Sequence, residues 1–313
     1  MKFTIFQESR IGRRKTNQDR IAHCYSRDSL LMVLADGMGG HLHGEVAAHI
    51  AVQYLTHVFQ REAQPLLMDP AMFLSRELSL AHHAILDYSH EKGLREAPRT
   101  TIVACVVQGA HAYWAHAGDS RLYMLRKGRV FIQTHDHSRV QLMMDQGLLD
   151  VRSAATHPNR NRVYSCLGGT HLPQIEFSRR TPLQHGDVLA LCTDGVWGPL
   201  GNEGVLRGLG KETPMLAVPK LLTEAEAIAG PTCDNLSVIA MVWREGGSDE
   251  DEGGCGGDSS DVISTQTMEL SDFTTRMDSF QHARPASSDT YLSDDEIENA
   301  IQEINAAIQK ISK

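Results

Sequence analysis

Leu30-Leu31-Met32-Val33-Leu34-Ala35-Asp36-Gly37 decides the fold. Six consecutive apolar residues without polar alternation describe a strand buried on both faces, and the Asp-Gly that follows puts an acidic turn at its end. Val188-Leu189-Ala190-Leu191-Cys192-Thr193-Asp194-Gly195 repeats the arrangement. Between the two, Glu45–Phe59 places apolar residues at 46, 47, 50, 51, 54, 55, 58 and 59, the spacing of a helix, and a second helical stretch covers roughly 70–90. Thr100–Thr134 reads as a strand meander (Ile102–Val107, Ala112–Ala117, Leu122–Leu125, Val130–Gln133) with turns at Gly109, Gly118-Asp119 and Lys127-Gly128. Residues 138–173 are polar and irregular apart from a helix near 139–146; helical patterns run to about 229, and Leu236–Trp243 closes the body as a strand. Strands that follow one another without crossover helices predict antiparallel sheets with helices packed outside, an α+β layered domain.

Composition sets the boundaries. The chain has 313 residues, 41% of them apolar, and no run approaches the ~18–20 apolar residues of a membrane-spanning helix. Met1-Lys2-Phe3-Thr4-Ile5 lacks the apolar core of a secretory leader, and the six cysteines are scattered with no C-x-x-C pair. A cytoplasmic protein is expected. Net charge is −9, yet residues 245–313 alone carry 16 acidic and 4 basic residues, leaving a body of 26 basic against 23 acidic. No basic stripe faces a nucleic acid. Residues 1–244 therefore read as one domain and 245–290, rich in Gly, Ser, Thr and Asp, as an acidic disordered linker. In 291–313, a capping-box pattern at Ser293 precedes Ile297, Ile301, Ile304, Ile308 and Ile311, an a/d seam of an amphipathic helix that docks on itself, a partner or its own body.

Four aspartates share one setting, a strand end followed by a small turn residue: Asp36-Gly37, Asp119-Ser120, Asp194-Gly195 and Asp234-Asn235. Strand termini can gather distant carboxylates, and clustered carboxylates repel unless protonated or neutralised by a hard divalent cation. A single Asp-Gly is a common turn; four in matched contexts leave a metal site and a set of ordinary turns both open.

Gly12-x-Arg14-x-x-Asn17-Gln18-Asp19 and Ala35-Asp36-Gly37-Met38-Gly39-Gly40-His41-x-x-Gly44-Glu45-x-Ala47-Ala48 resemble the opening of bacterial metal-dependent Ser/Thr protein phosphatases of the PPM, or type 2C, class. Ala117-Gly118-Asp119-Ser120-Arg121, Asp136-His137-Ser138, Leu167-Gly168, Cys192-Thr193-Asp194-Gly195-Val196-Trp197 and Asp234-Asn235-Leu236-Ser237 follow in the same order, so the similarity spans about residues 5–243. It implies a four-layer αββα sandwich, two antiparallel sheets between helical layers. It implies also that Asp36 bridges two Mg2+ or Mn2+ ions with the Gly37 carbonyl as a further ligand, that Asp194 and Asp234 complete the second site, and that Asp119 matches the position of a third, weaker metal. Arg14 matches the phosphate-binding arginine, and Asp19 the acidic residue that orients water behind the metals. The position before Asp19 is often Glu in this family and is Gln18 here, which tunes the site rather than silencing it. Met38 stands where some members carry a histidine general acid; His41 is near in sequence, but the Gly39-Gly40 turn aims it elsewhere.

Other patterns carry less. Histidines 135 and 137 could converge on one face of an extended segment, but with no third ligand at motif spacing His135-Asp136-His137 reads as a structural turn rather than a zinc site. Gly37-x-Gly39-Gly40 lacks the dinucleotide spacing, and no nucleophile elbow or P-loop is present. Arg139, Arg152, Arg160 and Arg162 are candidates to attract a phosphoprotein, with an ordinary solvated surface an equal alternative. The linker hydroxyls (Ser259, Ser260, Thr265, Thr267, Thr274, Thr275, Ser287, Ser288) are candidates for a kinase target or a pseudo-substrate of the metal site, with a plain spacer the simpler alternative. The resemblance implies a phosphatase acting on phosphorylated proteins in opposition to a Ser/Thr kinase. The competing class is a catalytically idle phosphoprotein-binding scaffold targeted by the 291–313 helix; it would be expected to lose a metal carboxylate or Arg14, and all are present. A third alternative keeps the chemistry but makes the substrate a partner-switching regulator that answers an anti-sigma kinase; phosphatases of that kind usually carry sensory domains ahead of the catalytic one.

Overall fold

The computed structural model describes residues 1–38, 43–150, 153–154 and 157–244, together with the backbone of 274–277. Two antiparallel sheets lie face to face. One has the order β1–β11–β10–β6–β7: β1 (Lys2–Arg10), β11 (Leu236–Arg244), β10 (Val188–Cys192), β6 (Arg121–Arg126) and β7 (Arg129–Gln133). The other has the order β12–β2–β3–β4–β5–β8: β12 (Thr274–Met277), β2 (Asp19–Tyr25), β3 (Ser29–Asp36), β4 (Ile102–Gln108), β5 (His111–Ala117) and β8 (Glu176–Phe177), with β9 (Thr181–Pro182) also on β5. Against the outer face of this second sheet pack α1 (Gly44–Glu62) and α2 (Pro70–Glu91). The short α3 (Arg139–Asp145) follows β7, while α4 (Asp194–Leu209) and α5 (Pro214–Ala229) cover the first sheet. The layers are thus helix, sheet, sheet, helix.

The continuous apolar runs follow from this stacking. Along β3, Leu30, Met32 and Leu34 enter the core between the sheets, whereas Leu31, Val33 and Ala35 enter the core under α1 and α2. Along β10, Leu189 and Leu191 face the other sheet and Val188, Ala190 and Cys192 face α4 and α5. With both faces dry, polar alternation has nowhere to appear. Each buried Leu, Val or Met among them contributes about 1.5–3 kcal/mol by leaving water.

The meander over 100–134 is two hairpins in different sheets. The chain crosses from β5 to β6 at Gly118–Ser120, carrying Asp119 into the seam between the sheets. β1 and β2 are absent from the sequence expectation. Within the segment expected to be a disordered linker, the backbone of Thr274–Met277 instead pairs antiparallel with β2, Thr274 opposite Tyr25 and Met277 opposite Ala22. β2 is otherwise the edge of its sheet, with a free row of backbone donors and acceptors, and an edge accepts a further strand on backbone hydrogen bonds alone. The 291–313 helix and the rest of 245–290 lie outside the described residues. The five described cysteines are free, and among the described residues no helix is long and apolar enough to cross a membrane.

Candidate metal centre

Strand register brings the acidic residues together. Asp19 at the start of β2 pairs directly with Asp36 at the end of β3, so both side chains leave the same face. That face is the inner one, shared with Ile21 on β2 and with Met32 and Leu34 on β3. From the opposite sheet, β10 runs out at Cys192 and α4 begins with Asp194, while Asp234 lies just ahead of β11. Thr193 and Ser237 reach across the seam. Their hydroxyls donate to Asp19 Oδ2 at 3.1 and 2.7 Å, and Asp19 Oδ1 is buried without a partner.

Two glycines allow this convergence. A Cβ on Gly37 would stand 2.4 Å from the Gly44 carbonyl, and one on Gly195 would stand 2.0 Å from the Asn235 carbonyl oxygen. Both are close approaches of backbone to backbone that only glycine permits. Asn235, 5% exposed, ties the neighbouring loop in place: its side-chain oxygen accepts from the Gln18 backbone N–H at 2.9 Å. Its amide donates to the carbonyls of Ile11 and Thr16 at 2.9 and 3.0 Å. That loop carries Arg14, whose Nε and Nη2 donate to the two Asp234 oxygens at 2.7 and 2.6 Å, a bidentate fork. Gln18 donates from Nε2 to Glu45 at 3.0 Å, so a glutamate there would meet a like charge.

The electrostatics match the geometry. Burial first, and then the charges of Asp19, Asp194, Asp119 and Asp234, hold the Asp36 carboxyl well above the usual carboxylate range. Burial pushes Asp19 up to about 7 despite its two hydroxyl donors, and burial together with Asp234 pushes Asp194 up to about 6. Asp119 rises well above the usual range through burial and the Asp194 and Asp136 charges. Arg14 is raised by its bond to Asp234 and by the surrounding carboxylates. One fork cannot neutralise five acids. The carboxylates face one another without closing into a tight cluster: among the described residues, a group of three ligand atoms within 4.8 Å occurs only at His116, His137 and Glu176. An oxygen-only donor set, mutually repelling and including an orphaned buried oxygen, fits hard divalent cations.

Sequence similarity decides the family. A protein phosphatase 2C model matches residues 6–219. The chain belongs to the protein phosphatase 2C family. It is 31% identical over 209 residues to the serine/threonine protein phosphatase PstP of Mycobacterium tuberculosis, a match covering 67% of this chain and 39% of PstP. The chain therefore spans about two fifths of that curated relative. Among solved structures, serine/threonine phosphatase Stp1 of Staphylococcus aureus superposes with a TM-score of 0.72 at 27% identity, covering 78% of this chain and 96% of Stp1. The catalytic domain of PstP in complex with two manganese ions superposes with a TM-score of 0.65 at 28% identity, covering 78% of this chain and all of that domain. Protein phosphatase 2C proteins are metal-dependent enzymes, and the αββα arrangement here is theirs.

Of the residues singled out in the sequence, Arg14, Asp19, Asp36, Gly37, Asp119, Asp194 and Asp234 meet at one end of the seam. Glycines 39 and 40 and His41 lie outside the described residues. Arg139 and Arg162 line an open cleft of about 690 Å³ beside Met38, together with Arg99; Arg160 does not, and Arg152 is outside the described residues. His135 and His137 do not converge: His135 turns to Asp145 at 3.1 Å, and His137 turns inward. Sequence reasoning missed Asn235, Thr193 and Ser237 as supports. It also missed Arg121, which forks onto Asp136 at 2.7 and 2.8 Å and lies 3.5 Å from the Trp197 ring centroid. Trp197 in turn donates to the Asp119 carbonyl at 2.9 Å. Only the small residue after each acid hinted at them.

Proposed function

We propose that the chain hydrolyses phosphoserine and phosphothreonine on proteins, using cations held by Asp36, the Gly37 carbonyl, Asp194 and Asp234, with Asp119 serving a third, weaker site. The observation that carries this is the meeting of five carboxylates from both sheets around Asp36, with Arg14 beside them. Two Mn2+ or Mg2+ ions, when bound, supply charge neutralisation and activation of water near neutral pH.

The chain's own residues do the rest. Asp19, fixed through Oδ2 by Thr193 and Ser237, keeps Oδ1 as a free acceptor for a water proton and so orients the attacking solvent. Arg14, here forked onto Asp234, presents the planar pair of donors that would hold two phosphate oxygens where Asp234 serves as a cation ligand. Arg99, Arg139 and Arg162 in the cleft beside Met38 favour a phosphorylated, acidic substrate segment. Opposition to a Ser/Thr kinase, and a signalling role in the cytoplasm, belong to the same proposal, the scattered free cysteines being what supports a reducing compartment. The domain limits proposed are 1–244 for the phosphatase, 245–290 for the linker and 291–313 for a docking helix.

The test is hydrolysis of a phosphothreonine peptide and of p-nitrophenyl phosphate by the full chain. Turnover is expected with Mn2+ or Mg2+ and lost with chelator and in Asp36→Asn; turnover that persists in chelator overturns the proposal.

A further inference from the structure

Away from the carboxylate centre, β5 sends His116 into the same inter-sheet face as Ala112 and Trp114, at the margin nearest β7. His116 is 1% exposed. Its Nε2 donates to the His135 carbonyl at 2.8 Å, which leaves the lone pair on Nδ1, and Nδ1 is buried without a partner. A ring nitrogen anchored on a backbone carbonyl, with the other nitrogen free, is how proteins present histidine to a metal. His137 stacks on His116 with ring centroids 4.6 Å apart, and Tyr164 covers its other face at 5.6 Å. His137 Nε2 lies 3.6 Å from a carboxylate oxygen of Glu176, whose side chain is 55% exposed. The ligand atoms of His116, His137 and Glu176 all fall within 4.8 Å of one another.

We propose that His116, His137 and Glu176 form a separate metal site, selective for Zn2+ over Mg2+ and Mn2+, with solvent in the fourth position. Two imidazoles and one carboxylate make a nitrogen-rich set that suits Zn2+, whereas Mg2+ prefers oxygen alone. A tetrahedral ion at about 2.1 Å from nitrogen wants its ligands about 3.4 Å apart. The His137–Glu176 pair is already near that, and Glu176, on the solvent side, can swing toward the ion and give it an entry path. Rotation of the stacked His137 ring is what brings its nitrogen and His116 Nδ1 to the remaining spacing. Burial lowers the basicity of both rings, so they are unprotonated at neutral pH.

Loading costs one contact. The Gly118 backbone N–H donates to His137 Nδ1 at 3.3 Å, and a metal on Nε2 moves the ring proton to Nδ1, so the ring must turn away from that long bond. His137 remains tied through its backbone, its N–H donating to the Gly118 carbonyl at 2.9 Å and its carbonyl accepting from the Tyr164 N–H at 2.9 Å. The ion would therefore fasten the turn before Asp119 to both ends of the 138–164 segment beside the substrate cleft.

The test does not rest on the hydrolase proposal. The full chain, its carboxylate centre saturated with millimolar Mg2+, is dialysed against Zn2+ and the retained metal counted, with Co2+ as an optical probe. One Zn2+ per chain is expected, and a visible Co2+ band of four-coordinate intensity. Glu176→Gln and His116→Asn should each weaken retention by at least about tenfold, and Asp36→Asn should leave it unchanged. Glu176 is exposed, so its variant reports even where the buried His116 variant fails to fold. No zinc retained against Mg2+, equal retention in Glu176→Gln, or loss in Asp36→Asn each overturns the proposal.

Discussion

Removing the side chain of Asn235 tests how the Arg14 loop is held. The residue makes three hydrogen bonds at 2.9–3.0 Å, to Gln18 N–H and to the carbonyls of Ile11 and Thr16, from a position 5% exposed. Asn235→Ala strands one donor and two acceptors away from water, and at about 1 kcal/mol for each lost bond the cost is about 3 kcal/mol. Asn235→Asp is the sharper probe. It keeps the acceptor for Gln18 but turns an oxygen toward two carbonyls and adds a charge beside Asp234, so it should cost at least as much as alanine. Urea unfolding of each variant in chelator gives the free energies directly. In Mn2+, both should raise KM for p-nitrophenyl phosphate through the loosened Arg14, while Mn2+ affinity in the alanine variant changes little. An alanine variant within about 0.5 kcal/mol of wild type, or an aspartate milder than alanine, would refute the reasoning.

Three further outcomes are expected. Gly195→Ala places a Cβ 2.0 Å from the Asn235 carbonyl oxygen, and because both atoms are backbone-bound it should cost more than about 3 kcal/mol in urea unfolding. Gln18→Glu exchanges a 3.0 Å bond to Glu45 for a like-charge contact; a loss of about 1 kcal/mol in urea unfolding at pH 7 is expected, while turnover persists. His49 is lowered from 6.5 to about 4 by burial and by Arg20, so it stays neutral when folded. The unfolded chain binds its proton first, hence stability is full above 6.5 and falls as pH drops toward 4, by at most about 3 kcal/mol. His49→Leu should flatten that acid slope in urea unfolding at pH 7 and 4.5, and an unchanged slope would remove His49 as its source.

The strands that sequence discloses are those with two dry faces. Leu30–Ala35 and Val188–Cys192 are uninterrupted because one side meets the other sheet and the other side meets helices. β2 escapes notice because Asp19, Arg20 and His23 are buried polar residues, and their burial depends on partners far along the chain: Thr193 and Ser237 for Asp19, Gln7 for His23. β1 is an edge strand whose residues are mostly half-buried, so its hydrophobic signal is diluted. At the site, Asp36, Asp119, Asp194 and Asp234 are visible because each sits beside a strand end before a small residue, whereas Asp19, followed by Arg20, is visible only through the family resemblance. Their supports are not, since Asn235 acts through three backbone groups and backbone groups leave no mark in a sequence. The pairing of His116 with His137 is hidden for a similar reason: it is made by the crossing from one sheet to the other at Gly118–Ser120, which local spacing cannot register.

Manganese anomalous scattering from crystals of the full chain grown with Mn2+ tests most directly whether the acids from both sheets form one cation centre. Two strong peaks should appear within bonding distance of Asp36, with Asp194 and Asp234 at one of them and the Arg14 guanidinium withdrawn from Asp234. Peaks confined elsewhere, or Asp36 left without a metal while the Arg14 fork stays on Asp234, would contradict the account.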